Sequence, residues 1–103
     1  MTESAIAMIR AERERMLSLW GRIAETNEPT NDLFEWMSIL GEEFGELCEA
    51  INETCFKHPK HPERGGYDNI LKEAIQVAAV STAIAEDMLQ RKAMAGEEKG
   101  EKV

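Results

Sequence analysis

Between Asp32 and Thr54 the chain carries seven acids (Asp32, Glu35, Glu42, Glu43, Glu46, Glu49 and Glu53) and neither lysine nor arginine. Solvated helix faces usually alternate sign, because like charges one turn apart cost about 0.2–0.5 kcal/mol per pair. Here Glu42 and Glu46 form such a pair, as do Glu49 and Glu53, while Glu43, Glu46 and Glu49 follow one another at intervals of three. A cation, a basic partner or solvent screening must offset that repulsion. A hard divalent cation such as Mg²⁺ or Mn²⁺ takes oxygen ligands, and carboxylates one helical turn apart can converge on it. Farther along the chain, Glu73 and Gln76 repeat the three-residue spacing and can complete the cage. The absent bases and this answering pair favour a metal site on the acid-rich segment over a merely solvated face.

Three helical segments must position these groups. The first runs from about Ser4 to Ala24 on a partial apolar stripe of Ile6, Ile9, Met16, Leu17, Trp20 and Ile23. Its face Arg10 to Arg15 mixes signs and reads as a solvated, ion-paired surface. A polar, proline-containing loop follows over Glu25 to Asn31. The second helix starts at an Asp32 N-cap with Glu35 three residues on, a capping-box pair. Its apolar residues Leu33, Phe34, Trp36, Met37, Leu40, Phe44, Leu47 and Ile51 recur at three- and four-residue intervals. Gly41 and Gly45 leave one strip of it bare, which suits close approach of another helix or a ligand. Lys57 to Tyr67 forms a loop with two prolines and a Gly-Gly pair. Asp68 caps a third helix that reaches about Arg91 and is apolar nearly all round between Ile75 and Ile84. There Ser81 and Thr82 read as helix–helix hydrogen bonders. No strand pattern or internal repeat is visible. The expected fold class is all-α: one domain over residues 1–95, a bundle of three main helices completed by oligomerisation, with a disordered charged tail at 96–103.

Composition narrows the partners. Acids outnumber bases 20 to 12, for a formal charge of −8. Such a field repels phosphate backbones and anionic lipid, so neither nucleic acid nor membrane is expected. An acidic protein handling a phosphorylated small molecule needs metal ions between the two negative partners. No apolar run approaches the roughly 20 residues of a spanning helix, and no signal sequence is visible, so a cytoplasmic location is expected. Cys48 and Cys55 on one helix stand about 10 Å apart, too far for a disulfide.

The loop gathers Lys57, His58, Lys60, His61 and Arg64 against one acid, Glu63. Lys57, Lys60 and Arg64 are candidate substrate-binding residues, since a triphosphate needs metal on some of its oxygens and lysine or arginine on others. Trp36 is the candidate for stacking a base, with Trp20, Phe34 and Tyr67 behind it.

The residues Gly41-Glu42-Glu43-Phe44-Gly45-Glu46, followed by Glu73-Ala74-Ile75-Gln76, resemble the MazG-type nucleoside triphosphate pyrophosphatase family. Its pattern is Glu-Glu-x-x-Glu, a spacer, then Glu-x-x-Asp, and the likeness spans roughly residues 33–90. The resemblance implies an all-α fold assembling as a homodimer or homotetramer. It also implies Mg²⁺-dependent cleavage of a nucleoside triphosphate to monophosphate and pyrophosphate. Glu43, Glu46 and Glu73 would be metal ligands, and Glu42 with Glu43 would be the catalytic acids. Gln76 stands where the family has aspartate; its amide oxygen can ligate a hard cation but brings no charge. The expected function is therefore a metal-dependent nucleotide pyrophosphohydrolase. The alternative is a non-catalytic module of the same type that binds metal or nucleotide, or serves assembly.

Overall fold

The structure, a computed structural model, describes the backbone of residues 1–20 and 31–99 and the side chains of residues 1–18 and 31–96. Among them are three α-helices and no strand: α1, Glu3–Trp20; α2, Leu33–Cys55; and α3, Tyr67–Lys99. A short 3-10 turn, Pro62–Arg64, lies between α2 and α3. The expected end of the first helix near Ala24, its Ile23, and the loop up to residue 30 lie outside the described residues, as does the side chain of Trp20.

Each helix begins for a local reason. Thr2 Oγ1 accepts from the Ala5 amide at 3.2 Å and caps α1. The expected capping box of α2 is complete: Asp32 Oδ1 accepts from the Glu35 amide at 2.7 Å, and Glu35 Oε1 accepts from the Asp32 amide at 2.9 Å. At α3 the expectation fails, because the helix starts one residue before Asp68, at Tyr67. Asp68 is instead an acid in the first turn, where the helix dipole favours it. The far end differs too. The helix continues past Arg91 to Lys99 and takes in the first residues of the segment expected to be a tail.

The α2–α3 connection is built on glycine. Gly66 adopts φ +97°, a left-handed conformation that side chains resist. A Cβ on Gly65 would stand 2.9 Å from the Glu53 carbonyl carbon, so the two backbones approach closely only without one. Thr54 Oγ1 accepts from the Gly66 amide at 2.7 Å while donating to the Ala50 carbonyl at 2.7 Å. Asn69 Nδ2 donates to the Glu63 and Gly65 carbonyls at 3.1 and 2.7 Å, closing the loop onto α3.

Helix α3 is the spine, with both other helices packed on it. Contacts between α2 and α3 run in opposite order (Trp36 against Asp87, Glu43 against Gln76), so these helices are antiparallel. The core is small: Met16 of α1, Trp36 of α2, and Ala79, Val80 and Ala83 of α3, with Ile39, Leu40 and Ile84 packed against it. The small side chains on α3 let its neighbours come close on two sides. Arg13, expected on a solvated face, has only 13% of its side chain exposed and reaches Glu86 on α3 at 2.6 Å.

Trp36 is the largest residue of this core. It is 3% exposed, and its Nε1 donates to Asp87 Oδ2 at 2.7 Å. Arg91 holds the same carboxylate from Nε at 3.0 Å and bonds the Asn31 carbonyl at 2.6 Å. Trp36 therefore locks the start of α2 to α3 and is not available to stack a base. Two further expectations are corrected nearby. Thr82 donates to the Ala78 carbonyl of its own helix at 2.8 Å, and Ser81 is exposed, so neither bonds between helices. Among the described residues, nothing beyond their own stretch of α2 lies within 4 Å of where a Cβ on Gly41 or Gly45 would stand, so no described helix packs on that strip.

Replacing Trp36 by phenylalanine keeps most of the apolar volume but strands one Asp87 lone pair. The expected cost is about 1–3 kcal/mol, read as a lower urea midpoint with an unchanged slope. Wild-type stability in Trp36→Phe would remove the lock from this account.

Candidate metal centre

The carboxylates meet where α2 and α3 cross midway along their shared length. Glu43 and Glu46, three residues apart, lie on one side of α2, and Glu73 answers from the second turn of α3. One oxygen from each can be chosen so that all three lie within 4.8 Å of one another. Glu43 and Glu73 are half-buried and Glu46 is exposed, so the cluster opens to solvent on one side. Three oxygens at this separation suit a cation with bonds of about 2.0–2.6 Å, and an all-oxygen set selects Mg²⁺, Mn²⁺ or Ca²⁺ over softer metals. The residues present thus fit a hard divalent ion.

Gln76 completes the group. Its terminal amide lies 3.0 Å from Glu73 Oε2 and 3.1 Å from Glu43 Oε2, so the NH₂ is the half that faces them and donates to both. One neutral side chain thereby bridges carboxylates on two helices. Rotated by half a turn, the same amide would present its oxygen as a fourth ligand. An aspartate here would add a fourth negative charge and could donate nothing unless protonated.

The electrostatics follow from this crowding. Burial pushes the Glu43 carboxyl above the ordinary glutamate range, and the charges of Glu46, Glu73, Glu42 and Glu12 add to it. Glu73 is also raised, first by burial and then by Glu46, which stands close enough to share a proton with it. Lys72 works in the opposite direction on Glu73.

The other expected site residues fall into place differently. Glu42 is exposed beside the cluster, near enough for its charge to act on Glu43. Arg64 is bound to Glu49 at 3.0 Å, and Glu53 accepts from the His61 amide at 3.0 Å. The lower glutamate pair is thus answered by the loop, through the Arg64 guanidinium and the His61 amide. Lys57 and Lys60 are exposed on that loop, and neither lines a cavity at the cluster. Phe34 and Tyr67 are exposed as well, at 76% and 86%. Cys48 and Cys55 are free thiols, in keeping with their spacing.

Two residues at the cluster lie on α1, where the spacing argument did not look. Glu12 and Arg15 line a cavity with Glu43 and Gln76. They stand as an ion pair three residues apart, Arg15 Nε donating to both Glu12 oxygens at 3.0 and 3.1 Å. Only 15% of the Glu12 side chain is exposed. The one available signal, an acid and an arginine three residues apart on a helix, is too common to single out.

In comparison with known proteins, the chain matches no family model, no curated protein and no solved structure. None of the described helices is long and apolar enough to cross a membrane.

A carboxyl whose folded pKa is raised binds its proton more tightly folded than unfolded, so it opposes folding above that value. That opposition vanishes as pH falls through the raised value. In chelator at pH 7, Glu43→Gln is expected to melt above the parent protein, and the gap should shrink as pH is lowered towards the ordinary glutamate range. Thermal melts at several pH values check this; a gap constant with pH would show that the crowding of charge does not act through Glu43. Because ligation needs the ionised carboxylates, Mn²⁺ at pH 7 should raise the melting temperature of the parent more than that of the variant.

Proposed function

We propose that the chain is a metal-dependent nucleotide pyrophosphohydrolase of the MazG type, acting on a nucleoside triphosphate. The observation that supports this best is the convergence of Glu43, Glu46 and Glu73 within 4.8 Å from two helices. The order of those acids along the chain, Glu-Glu-x-x-Glu then Glu-x-x-Gln, supports it independently. A bound Mg²⁺ or Mn²⁺ would supply charge neutralisation at the phosphates and Lewis acidity. Glu43, Glu46 and Glu73 would hold the ion, and the Gln76 amide oxygen could add a neutral ligand. The reaction is hydrolytic: a water oxygen bonds to the α-phosphorus, the bond to the α–β bridging oxygen breaks, and pyrophosphate leaves. Glu42, exposed at the edge of the cluster, would take the proton released by that water. No covalent enzyme intermediate is needed.

A second reading has its own support. Gln76 supplies one charge fewer than the MazG pattern and ties two carboxylates together through its amide. A protein that binds metal and nucleotide without turnover, or that serves assembly, is consistent with that arrangement.

Self-association belongs to either reading. Leu33, Met37, Phe44 and Ile51 fall within an arc of about 40° on α2 at 100° per residue, and they are 58%, 64%, 57% and 41% exposed. This strip runs beside the core-facing Leu40 and is open to solvent, and exposed apolar strips of this kind mark association surfaces. A homodimer or homotetramer would cover it.

Incubation with a panel of nucleoside triphosphates and Mg²⁺ or Mn²⁺ should release pyrophosphate, and Glu43→Gln or Glu46→Gln should lower the rate at least 100-fold, by about 3 kcal/mol or more of lost electrostatic stabilisation. No release from any triphosphate by folded protein would sink the enzyme reading in favour of the binding module. Gln76→Asp should tighten Mn²⁺ binding; weaker binding would show that the amide bridge is the better arrangement. Sedimentation should find an oligomer that Met37→Glu with Phe44→Glu converts to monomer, whereas a parent protein already monomeric would place the strip outside any self-interface.

A further inference from the structure

Arg15 brings a guanidinium from α1 to the carboxylate cluster, where its charge is felt by Glu43. It lines the cavity that also holds Glu43 and Gln76, and it lines a second, shallower groove of roughly 340 Å³ that runs outward from Gln76 between α1 and α3. That groove is walled by apolar Met8, Ala11 and Ile75, and Lys72 faces it from α3. Its size is at the lower end of small-ligand sites, about 300–1,000 Å³.

The loop cations do not share this position. Arg64 is bound to Glu49, and neither Lys57 nor Lys60 lines the groove or the cavity. The guanidinium of Arg15 is instead parked on Glu12 while more than half of its side chain, 54%, stays exposed. A planar fork with several donors matches phosphate oxygens as well as it matches a carboxylate. Glu12 keeps the arginine at the site, and its nearby negative charge makes exchange for a phosphate a competition between two anions for one fork.

We propose that Arg15 is the phosphate-holding residue of this site, with Glu12 as its resting partner and the Met8–Ala11–Ile75 wall receiving the apolar part of the ligand. The inference rests on the reading of the carboxylate cluster as a divalent-cation site for a nucleoside triphosphate. It adds a third helix to that site and moves phosphate recognition from the α2–α3 loop to α1. Glu12 then acts as a built-in competitor that sets how strongly an anion must bind to draw Arg15 away.

Calorimetry with Mn²⁺ alone and then with Mn²⁺ plus inorganic tripolyphosphate tests this. Arg15→Ala is expected to leave Mn²⁺ affinity nearly unchanged and to weaken tripolyphosphate about 10- to 100-fold, the usual range for losing a charge-assisted fork. Arg15→Lys should recover part of the loss, and it carries the test if Arg15→Ala fails to show a helical dichroism spectrum. Arg10→Ala, an exposed arginine on the same helix, should bind as the parent does. Glu12→Gln should tighten tripolyphosphate, and the gain should vanish in the Glu12→Gln/Arg15→Ala double variant; a gain that persists there would reflect the general field and overturn the pairing. Arg15 variants that bind tripolyphosphate as the parent does would overturn the proposal while leaving the metal reading intact. A parent protein that takes up no Mn²⁺ would overturn both.

Discussion

Three carboxylates drawn to within 4.8 Å of one another, in a chain already eight negative charges to the bad, are the constraint around which this molecule is arranged. Like charges in a half-buried crevice raise each other's proton affinity and push the helices apart. Something must hold them there. The structure answers with one neutral bridge, Gln76, and with partial burial that favours protonation of Glu43 and Glu73. A divalent ion would answer the same constraint more strongly, since it turns mutual repulsion into shared ligation.

The crossing of α2 and α3 survives this repulsion because it is anchored on both sides. At one end Trp36 and Arg91 converge on Asp87, a buried carboxylate with its acceptors filled. At the other, Thr54 and Asn69 stitch the loop backbone to both helices, and two glycines let it pass close to the end of α2. The glutamate cluster lies between these anchors. Charge that would destabilise a free helix pair is thus carried by packing and hydrogen bonds elsewhere, a common arrangement where function requires local strain. On the third side α1 brings Glu12 and Arg15 against the same crevice and links to α3 through Arg13 and Glu86.

Much of this was legible from local pattern. The Asp32 capping box, the helical character of all three segments and the crowding of acids on α2 follow from spacings of three and four residues, whereas the grouping of Glu43 and Glu46 with Glu73 is an implication of the MazG resemblance. Other features were not legible for identifiable reasons. The apolar residues of α2 form one periodic set, yet Trp36 is buried while Leu33, Phe34, Met37, Phe44 and Ile51 are exposed. Periodicity marks apolar positions without saying which of them a neighbouring helix will cover. Periodicity alone therefore offers Trp36 as a base-stacking group, because the partner that buries it, Asp87, is 51 residues away. Composition likewise offers the loop cations as one group, whereas the structure pairs Arg64 with Glu49 and leaves Lys57 and Lys60 exposed.

The amino-acid sequence alone determined that this is a helical chain with an acid-rich central helix, because helix propensity, capping and like-charge spacing are local properties. It also set the chemistry available to the cluster as carboxylate oxygens with one amide among them. Only the tertiary structure decided which acids share a crevice, which are answered by arginine, and that α1 forms the third wall. Those outcomes depend on how helices far apart in sequence pack against α3. The small residues Ala79, Val80 and Ala83 permit that packing from two sides without dictating which charged side chains will meet there.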